Sequence, residues 1–152
     1  MDTMTLPFRI RPVASELQMR LACNVRSAAY GHHLPALRDA YTHADGMDRS
    51  GTCASFLAVD KATDRPVGTV RIQLSTLGPP LTIESSFSLP SWLQEEPRAE
   101  LTRMSVVTGA DPLVRLALWK TGFYFCLANQ IRAMVIGARK PALIRQYKSL
   151  GF

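Results

Sequence analysis

Glu100-Leu101-Thr102-Arg103-Met104-Ser105-Val106-Val107 sets a carboxylate and a guanidinium three residues apart in a run that otherwise reads as a buried strand. Charges among apolar neighbours need a partner or a task, because an ionised group is costly to desolvate. A carboxylate held among Leu101, Met104 and Val106 has its pKa raised toward the range in which it serves as a general base, directly or through water. The alternative is an ion pair with Arg103, or with Arg71 on the strand Gly68-Thr69-Val70-Arg71-Ile72. Arg71 and Arg103 suit planar, bidentate recognition of a substrate carboxylate, and either could instead pair with Asp45 or Asp48 and brace the loop that carries them. Arg26 and Tyr30 are four apart on one helical face, so they either point together into a pocket or form a surface arginine packed on a tyrosine. Strict alternation along a strand sends Glu100 and Arg103 to opposite faces, so a shared site requires a bulge between them.

The elements that must position these residues follow from periodicity and turn signals. Phe8-Arg9-Ile10-Arg11-Pro12-Val13 alternates like an edge strand that Pro12 ends. Ser15 caps a helix whose apolar stripe, Leu17, Leu21, Ala22, Val25 and Ala28-Ala29, runs to Tyr30-Gly31. A weaker helix is expected from about Pro35 to His43, then a polar loop at 44–51. Phe56–Asp60 and Val67–Leu74 form a hairpin around Lys61–Pro66. Residues 75–99, with Pro79-Pro80, Pro90 and Pro97, read as a long irregular connection that holds a short strand or helical turn near Leu89–Leu93. The strand 100–107 follows. Asp111 as N-cap and Pro112 at the first helical position start a helix to about Asn129 that is apolar almost all round, hence buried against a sheet. Ala133–Ala138 reads as a buried parallel strand. Pro141 opens a last helix that turns Leu143, Ile144, Tyr147 and Leu150 to one face, a spacing that makes Tyr147 an ordinary core residue, and Gly151 closes it.

With 152 residues, 47% of them hydrophobic, and a mean hydropathy of +0.01, the chain can bury one core, and we expect a single domain over 1–152. Apolar runs are interrupted well before the about 20 residues of a membrane span, and Met1-Asp2-Thr3-Met4 has no basic region followed by an apolar block. We expect a cytoplasmic protein. Cys23, Cys53 and Cys126 are widely spaced and form no ligand pattern, and His32-His33 reads as a helix end, so no metal site is expected. The charge of +6 is uneven: residues 98–152 hold nine basic side chains against Glu100 and Asp111, while the first 97 hold nine basic and ten acidic ones. This asymmetry suggests an anionic partner for the last third, or a solvated helix face. The basic residues are not interleaved with aromatics in a nucleic-acid-binding motif, so no nucleic acid is expected.

The order β-α-α-β-β-β-α-β-α and the ending Tyr147-Lys148-Ser149-Leu150-Gly151-Phe152 resemble the GNAT acyltransferases over nearly the whole chain. Glu100-x-x-Arg103 after Gly68-x-x-Arg71, preceded by Arg26-x-x-x-Tyr30 and Asp45-x-x-Asp48, looks like the branch of that superfamily that uses acyl carrier protein. Two families there are similar: N-acyl amino acid synthases of the long-chain N-acyl tyrosine type, and N-acyl-homoserine lactone autoinducer synthases. Val107-Thr108-Gly109-Ala110-Asp111-Pro112 stands where ordinary GNAT enzymes carry a pyrophosphate loop. The acidic triad of autoinducer synthases begins here with His43, so the amino acid synthases are the better likeness.

The resemblance implies an α/β (α+β) GNAT-like fold, a central mixed sheet flanked by helices, with the last strands of that fold lacking beyond Phe152, and a bulge in the strand that bears Glu100. It implies direct aminolysis of an acyl-phosphopantetheine thioester on acyl carrier protein by the amine of an amino acid, with no bound cofactor and no covalent enzyme intermediate. Glu100 would be the base and Tyr147 the acid for the departing thiolate. Arg26, Tyr30, Arg71, Arg103, Asp45 and Asp48 would form the substrate site, with Arg103 bracing the Asp45–Asp48 loop. Backbone donors of Val107, Thr108 and Gly109 would hold the pantetheine arm. Arg115, Arg139 and Lys140 would receive the acidic carrier protein. Membrane lipids are a possible peripheral contact through the lipid-like product. Competing expectations are lactone synthesis from S-adenosylmethionine and a non-catalytic module that binds acyl carrier protein.

Overall fold

The computed structural model describes residues 5–78 and 80–152. Met1–Met4, and Pro79 of the Pro79-Pro80 pair, lie outside the described residues. Five strands form one mixed sheet in chain order: β1 (Phe8–Pro12), β2 (Cys53–Asp60), β3 (Pro66–Leu74), β4 (Arg98–Val106) and β5 (Ala133–Val135). The first four are antiparallel, and β5 runs parallel to β4. Helix α1 (Glu16–His33) covers one face and α3 (Leu113–Ala128) the other; α2 (Ser91–Gln94) lies in the β3–β4 connection and α4 (Pro141–Ser149) follows β5. No helix among the described residues is long and apolar enough to cross a membrane.

The α3 face is the apolar core. Val70, Ile72, Leu74, Ala99 and Leu101 alternate inward and meet Val114, Leu118 and Cys126. Two glycines let the helix sit close: a Cβ on Gly68 would stand 2.7 Å from Val114 and 3.0 Å from Leu118, and one on Gly122 would stand 3.0 Å from Leu101. The α1 face is different. Only Ala22, Val25, Leu57 and Val59 form an apolar cluster there, and the neighbouring positions are polar or charged.

Three expectations are corrected. The helix expected from Pro35 to His43 is two 3₁₀ turns, Pro35–Leu37 and Asp39–Tyr41, because this short segment has no buried apolar side chain to stabilise longer helix. Residues 133–138 do not all form a strand; β5 ends at Val135, two residues before Gly137. Pro112 is the residue preceding α3 rather than its first turn, and Asp111 caps through Oδ1, which accepts from the Leu113 N–H at 2.8 Å. Ser15 caps α1 as expected, accepting from Gln18 N–H at 3.2 Å. The 75–97 connection holds 3₁₀ turns at Ser75–Leu77 and Thr82–Ser85 besides α2.

Candidate functional site

The register between β3 and β4 slips at the centre of the sheet. Thr69 lies opposite Ser105 and Arg71 opposite Thr102, so β4 carries one residue more than β3 across this interval. Arg103 sits there with φ of 54°, a left-handed conformation uncommon for a side chain of this size. The extra residue changes the alternation. Leu101 faces the core and Thr102 faces α1; Arg103 stays on the α1 side, and Met104 and Val106 return to the core. Glu100, Thr102, Arg103 and Ser105 therefore share one face with Arg71 and Gln73 of β3. The bulge expected from the resemblance is present.

Onto this face the 44–51 loop places two carboxylates. Asp45 and Asp48 hold each other's backbone N–H groups, Asp48 N to Asp45 Oδ1 at 2.9 Å and Asp45 N to Asp48 Oδ2 at 3.1 Å. Three guanidiniums meet them. Arg26 reaches Asp48 at 2.8 Å, Arg71 reaches Asp45 at 2.6 Å and Asp48 at 3.2 Å, and Arg103 reaches Asp45 at 3.3 Å. Arg71 also donates to Thr102 Oγ1 at 3.1 Å, and Arg26 to Ser55 Oγ at 3.4 Å. The Asp48 side chain is fully buried and Arg26 and Arg71 are nearly so. Burial tends to raise the Asp45 pKa, but the Asp48 N–H, Arg71 and Arg103 outweigh it and hold the group at about 2. Arg71 and Arg26 thus brace the loop together with Arg103, the residue for which the resemblance implied that task.

Arg103 is the least committed of the three. Its side chain is 29% exposed and its Nε has no partner. It donates to the Tyr41 hydroxyl at 2.7 Å, and its guanidinium lies 4.5 Å from the centre of the Tyr41 ring, which packs 4.6 Å from Tyr30. Tyr41 was missed in the sequence reading. Its position four residues before Asp45 was the available signal, obscured because its segment reads as a plain helix.

Glu100 stands at the last residue pair of the β4–β5 ladder, opposite Val135. Beyond it β4 continues to Val106 while β5 ends at Val135, so among the described residues this stretch of β4 has no strand partner on that side. The Glu100 carboxylate is 5% exposed and accepts the Ile83 N–H at 2.8 Å. Burial raises its pKa above the ordinary value, while the Ile83 N–H and the Arg71 charge partly counter that. Gln73 pins the same segment by accepting from the N–H and hydroxyl of Thr82, both at 2.9 Å. Glu100 and the Asp45–Asp48 cluster thus lie on one face, and the Arg71 charge acts on both.

The remaining candidates lie at the ends of β4 and on the C-terminal helices. The Val107 N–H is bound by the Val67 carbonyl at 3.0 Å, which removes Val107 as a free donor; Thr108 and Gly109 form an exposed turn, with Gly109 at φ 83°. Arg115, Arg139 and Lys140 are exposed and make no salt bridge among the described residues. Because α3 starts where β4 ends and α4 starts just past β5, all three stand at the edge of the sheet toward which the strands part. Tyr147 is half-buried, its ring 5.3 Å from Trp119 and 6.3 Å from Phe152, so it packs as its spacing indicated. Burial raises its pKa, which the nearby Arg115 charge partly counters. Among the described residues no group of three or more His, Cys, Asp or Glu is arranged to hold a metal.

No protein-family model matches the chain, and no curated protein matches it in sequence. Solved structures do match in shape. FeeM, an N-acyl amino acid synthase from uncultured soil microbes, superposes with a TM-score of 0.71 at 16% identity over 95% of this chain and 78% of its own. An aminoglycoside acetyltransferase from an uncultured soil metagenomic sample gives 0.68 at 12% identity, over 96% and 91%. A GCN5-related N-acetyltransferase from Ralstonia eutropha JMP134 gives 0.63 at 15% identity, over 95% and 92%. A five-stranded mixed sheet that parts after Glu100, with helices on both faces and a bulge at Arg103, is in this chain the GNAT acyltransferase fold.

Proposed function

We propose that the chain is an N-acyltransferase that moves a long-chain fatty acyl group from the phosphopantetheine thioester of acyl carrier protein to the amine of an amino acid. The observation that carries this reading is the bulge at Arg103, which gathers Glu100, Thr102 and Arg103 on one face beside the unpaired edge of β4. The likeness to FeeM supports the choice of an amino acid as acceptor.

In this mechanism Glu100 removes a proton from the acceptor ammonium through water. The neutral nitrogen attacks the thioester carbon, whose oxygen is polarised by N–H groups on the free β4 edge. The new C–N bond forms, the C–S bond breaks and the thiolate takes a proton from Tyr147; the second proton of the attacking nitrogen passes through water to the tyrosinate, which leaves a neutral amide, a free carrier thiol and a protonated Glu100 that returns its proton to solvent. A burial-raised carboxylate pKa favours proton uptake, and a burial-raised phenol keeps its proton until the thiolate forms. Arg103, the most exposed of the three guanidiniums, receives the acceptor carboxylate. Thr108 and Gly109 offer backbone donors to the pantetheine arm, and Arg115, Arg139 and Lys140 face the acidic carrier protein.

The test is incubation of the full chain with long-chain acyl carrier protein and a mixture of amino acids, with products identified by mass spectrometry. An N-acyl amino acid is the expected product. An acyl lactone formed only with S-adenosylmethionine would replace this reading with autoinducer synthesis. Carrier-protein binding with no release of free carrier thiol would replace it with a non-catalytic module.

A further inference from the structure

The guanidinium of Arg103 is held at both of its terminal nitrogens, and the two contacts are not alike. Nη2 reaches Asp45 Oδ2 at 3.3 Å, while Nη1 donates to the Tyr41 hydroxyl at 2.7 Å. The longer contact is the replaceable one. Asp45 is satisfied at its other oxygen, where Oδ1 accepts from Arg71 at 2.6 Å and from the Asp48 N–H at 2.9 Å. If Nη2 turned to a different carboxylate, Asp45 would stay bound to its own loop and to Arg71.

Tyr41 is placed to keep hold of its end. It closes the 3₁₀ turn Asp39–Tyr41, which packs on α1, and its half-buried ring lies 4.6 Å from that of Tyr30 near the end of the helix. The same ring lies 4.5 Å from the Arg103 guanidinium carbon. Tyr41 thus gives the cation both a π face and a hydroxyl acceptor, two contacts that together fix the place and the rotation of the planar group. An arginine side chain loses much rotamer freedom when a ligand orders it, so one that is ordered beforehand binds that ligand more tightly.

We infer that Tyr41 is the positioning residue of the acceptor site: it holds Arg103 in place while Nη2 exchanges Asp45 for the carboxylate of the incoming amino acid. The inference rests on the proposed acyl transfer to an amino acid, and adds to it the residue that sets the preference for an amine bearing a carboxylate. Tyr41 acts through Arg103 on acceptor binding, and the bond-making steps proceed without it.

Steady-state acyl transfer by the full chain from long-chain acyl carrier protein tests it. The acceptors are the standard L-amino acids and, for those that are acylated, the matching carboxamides, which keep the amine and lose the negative charge. Tyr41→Phe removes the hydroxyl and keeps the ring. It is expected to raise the KM for the amino acid about tenfold, with little change in kcat or in the KM for acyl carrier protein. Tyr41→Leu removes the ring as well and should add a further factor of about two to five. The carboxamides offer Arg103 no anion, so their KM should be the same for the parent chain and both variants, and the preference for acid over amide should fall along the series. A purely structural role for Tyr41 would instead weaken acid and amide alike. Should Tyr41→Leu fail to fold by circular dichroism, Tyr41→Phe alone decides. The inference is overturned by a parent chain with no preference for acid over amide, by a Tyr41→Phe preference equal to the parent's, or by a loss confined to kcat. A parent chain that forms no N-acyl amino acid overturns the reaction itself and the inference with it, an outcome distinct from an active parent that is indifferent to Tyr41.

Discussion

The two faces of β4 are built from the same nine residues and solve opposite problems. Toward α3, Ala99 and Leu101 are packed among aliphatic side chains and exclude water by shape. Toward α1, Glu100, Thr102 and Arg103 sit with two further arginines, Arg26 and Arg71, and two aspartates, and the face holds together only because nearly every charge has a partner. An apolar face tolerates loss of a group in proportion to the cavity left. A charged face does not, because removing one partner strands the other in a medium that solvates it poorly. The charged face also carries the groups to which the proposed reaction assigns proton transfer and anion binding.

The sharpest way to break this contrast is Asp48→Ala. It leaves Arg26 without its carboxylate and Arg71 with one partner fewer, both buried, and should cost about 3–5 kcal/mol in denaturant unfolding. A loss well under that would mean the cluster relaxes by admitting water. On the opposite face Leu118→Ala, at a fully buried position, should cost about 3 kcal/mol by the cavity it opens, with the site's charges untouched. Glu100→Gln preserves volume and the Ile83 contact, so the melting temperature should hold while acyl transfer falls by about 100-fold or more. Because burial raises the Glu100 pKa, the base form is lost as pH falls through a value above the ordinary 4.5, and the acid limb of the rate profile should begin there. A limb at or below 4.5 would remove Glu100 as the base.

Acid titration gives a smaller effect. Asp45 has a folded pKa of about 2 against an ordinary 3.8, so its stabilising contribution is complete above 3.8 and disappears as pH falls through about 2. Thermal melts across that window should be flatter for Asp45→Asn than for the parent chain. Smallest of all is Trp119→Phe. The indole N–H is buried without an acceptor, so removing it gives up no hydrogen bond, and the cost should stay under about 1 kcal/mol. A larger cost would show that the indole's extra volume, packed against Tyr147 and Phe152, matters more than its orphaned donor.

Much of this architecture was legible in the sequence because its determinants are local. Ser15 before an apolar stripe and Pro141 opening a helix each act through their immediate neighbours, and each element formed where the pattern placed it. The Pro35–His43 segment misled because helical propensity without a buried face is weak. Glu100, Arg103 and Arg71 stand out in the sequence as charges on apolar strands, and the resemblance adds Asp45, Asp48, Arg26 and Tyr30, but neither specifies their pairing. Which arginine takes which aspartate depends on contacts between residues 22 to 58 positions apart. Tyr41 joined the cluster unforeseen for the same reason.

The sequence by itself determined most of the helices and strands, the apolar core beneath α3 and the concentration of positive charge in the last third, since these follow from periodicity and composition. The tertiary structure decided the rest. One extra residue in β4, held in a left-handed conformation at Arg103, brings a guanidinium that strict alternation would send into the core onto the same face as Glu100. A strand's own period cannot specify that, because a bulge is defined only by the register of the strand beside it.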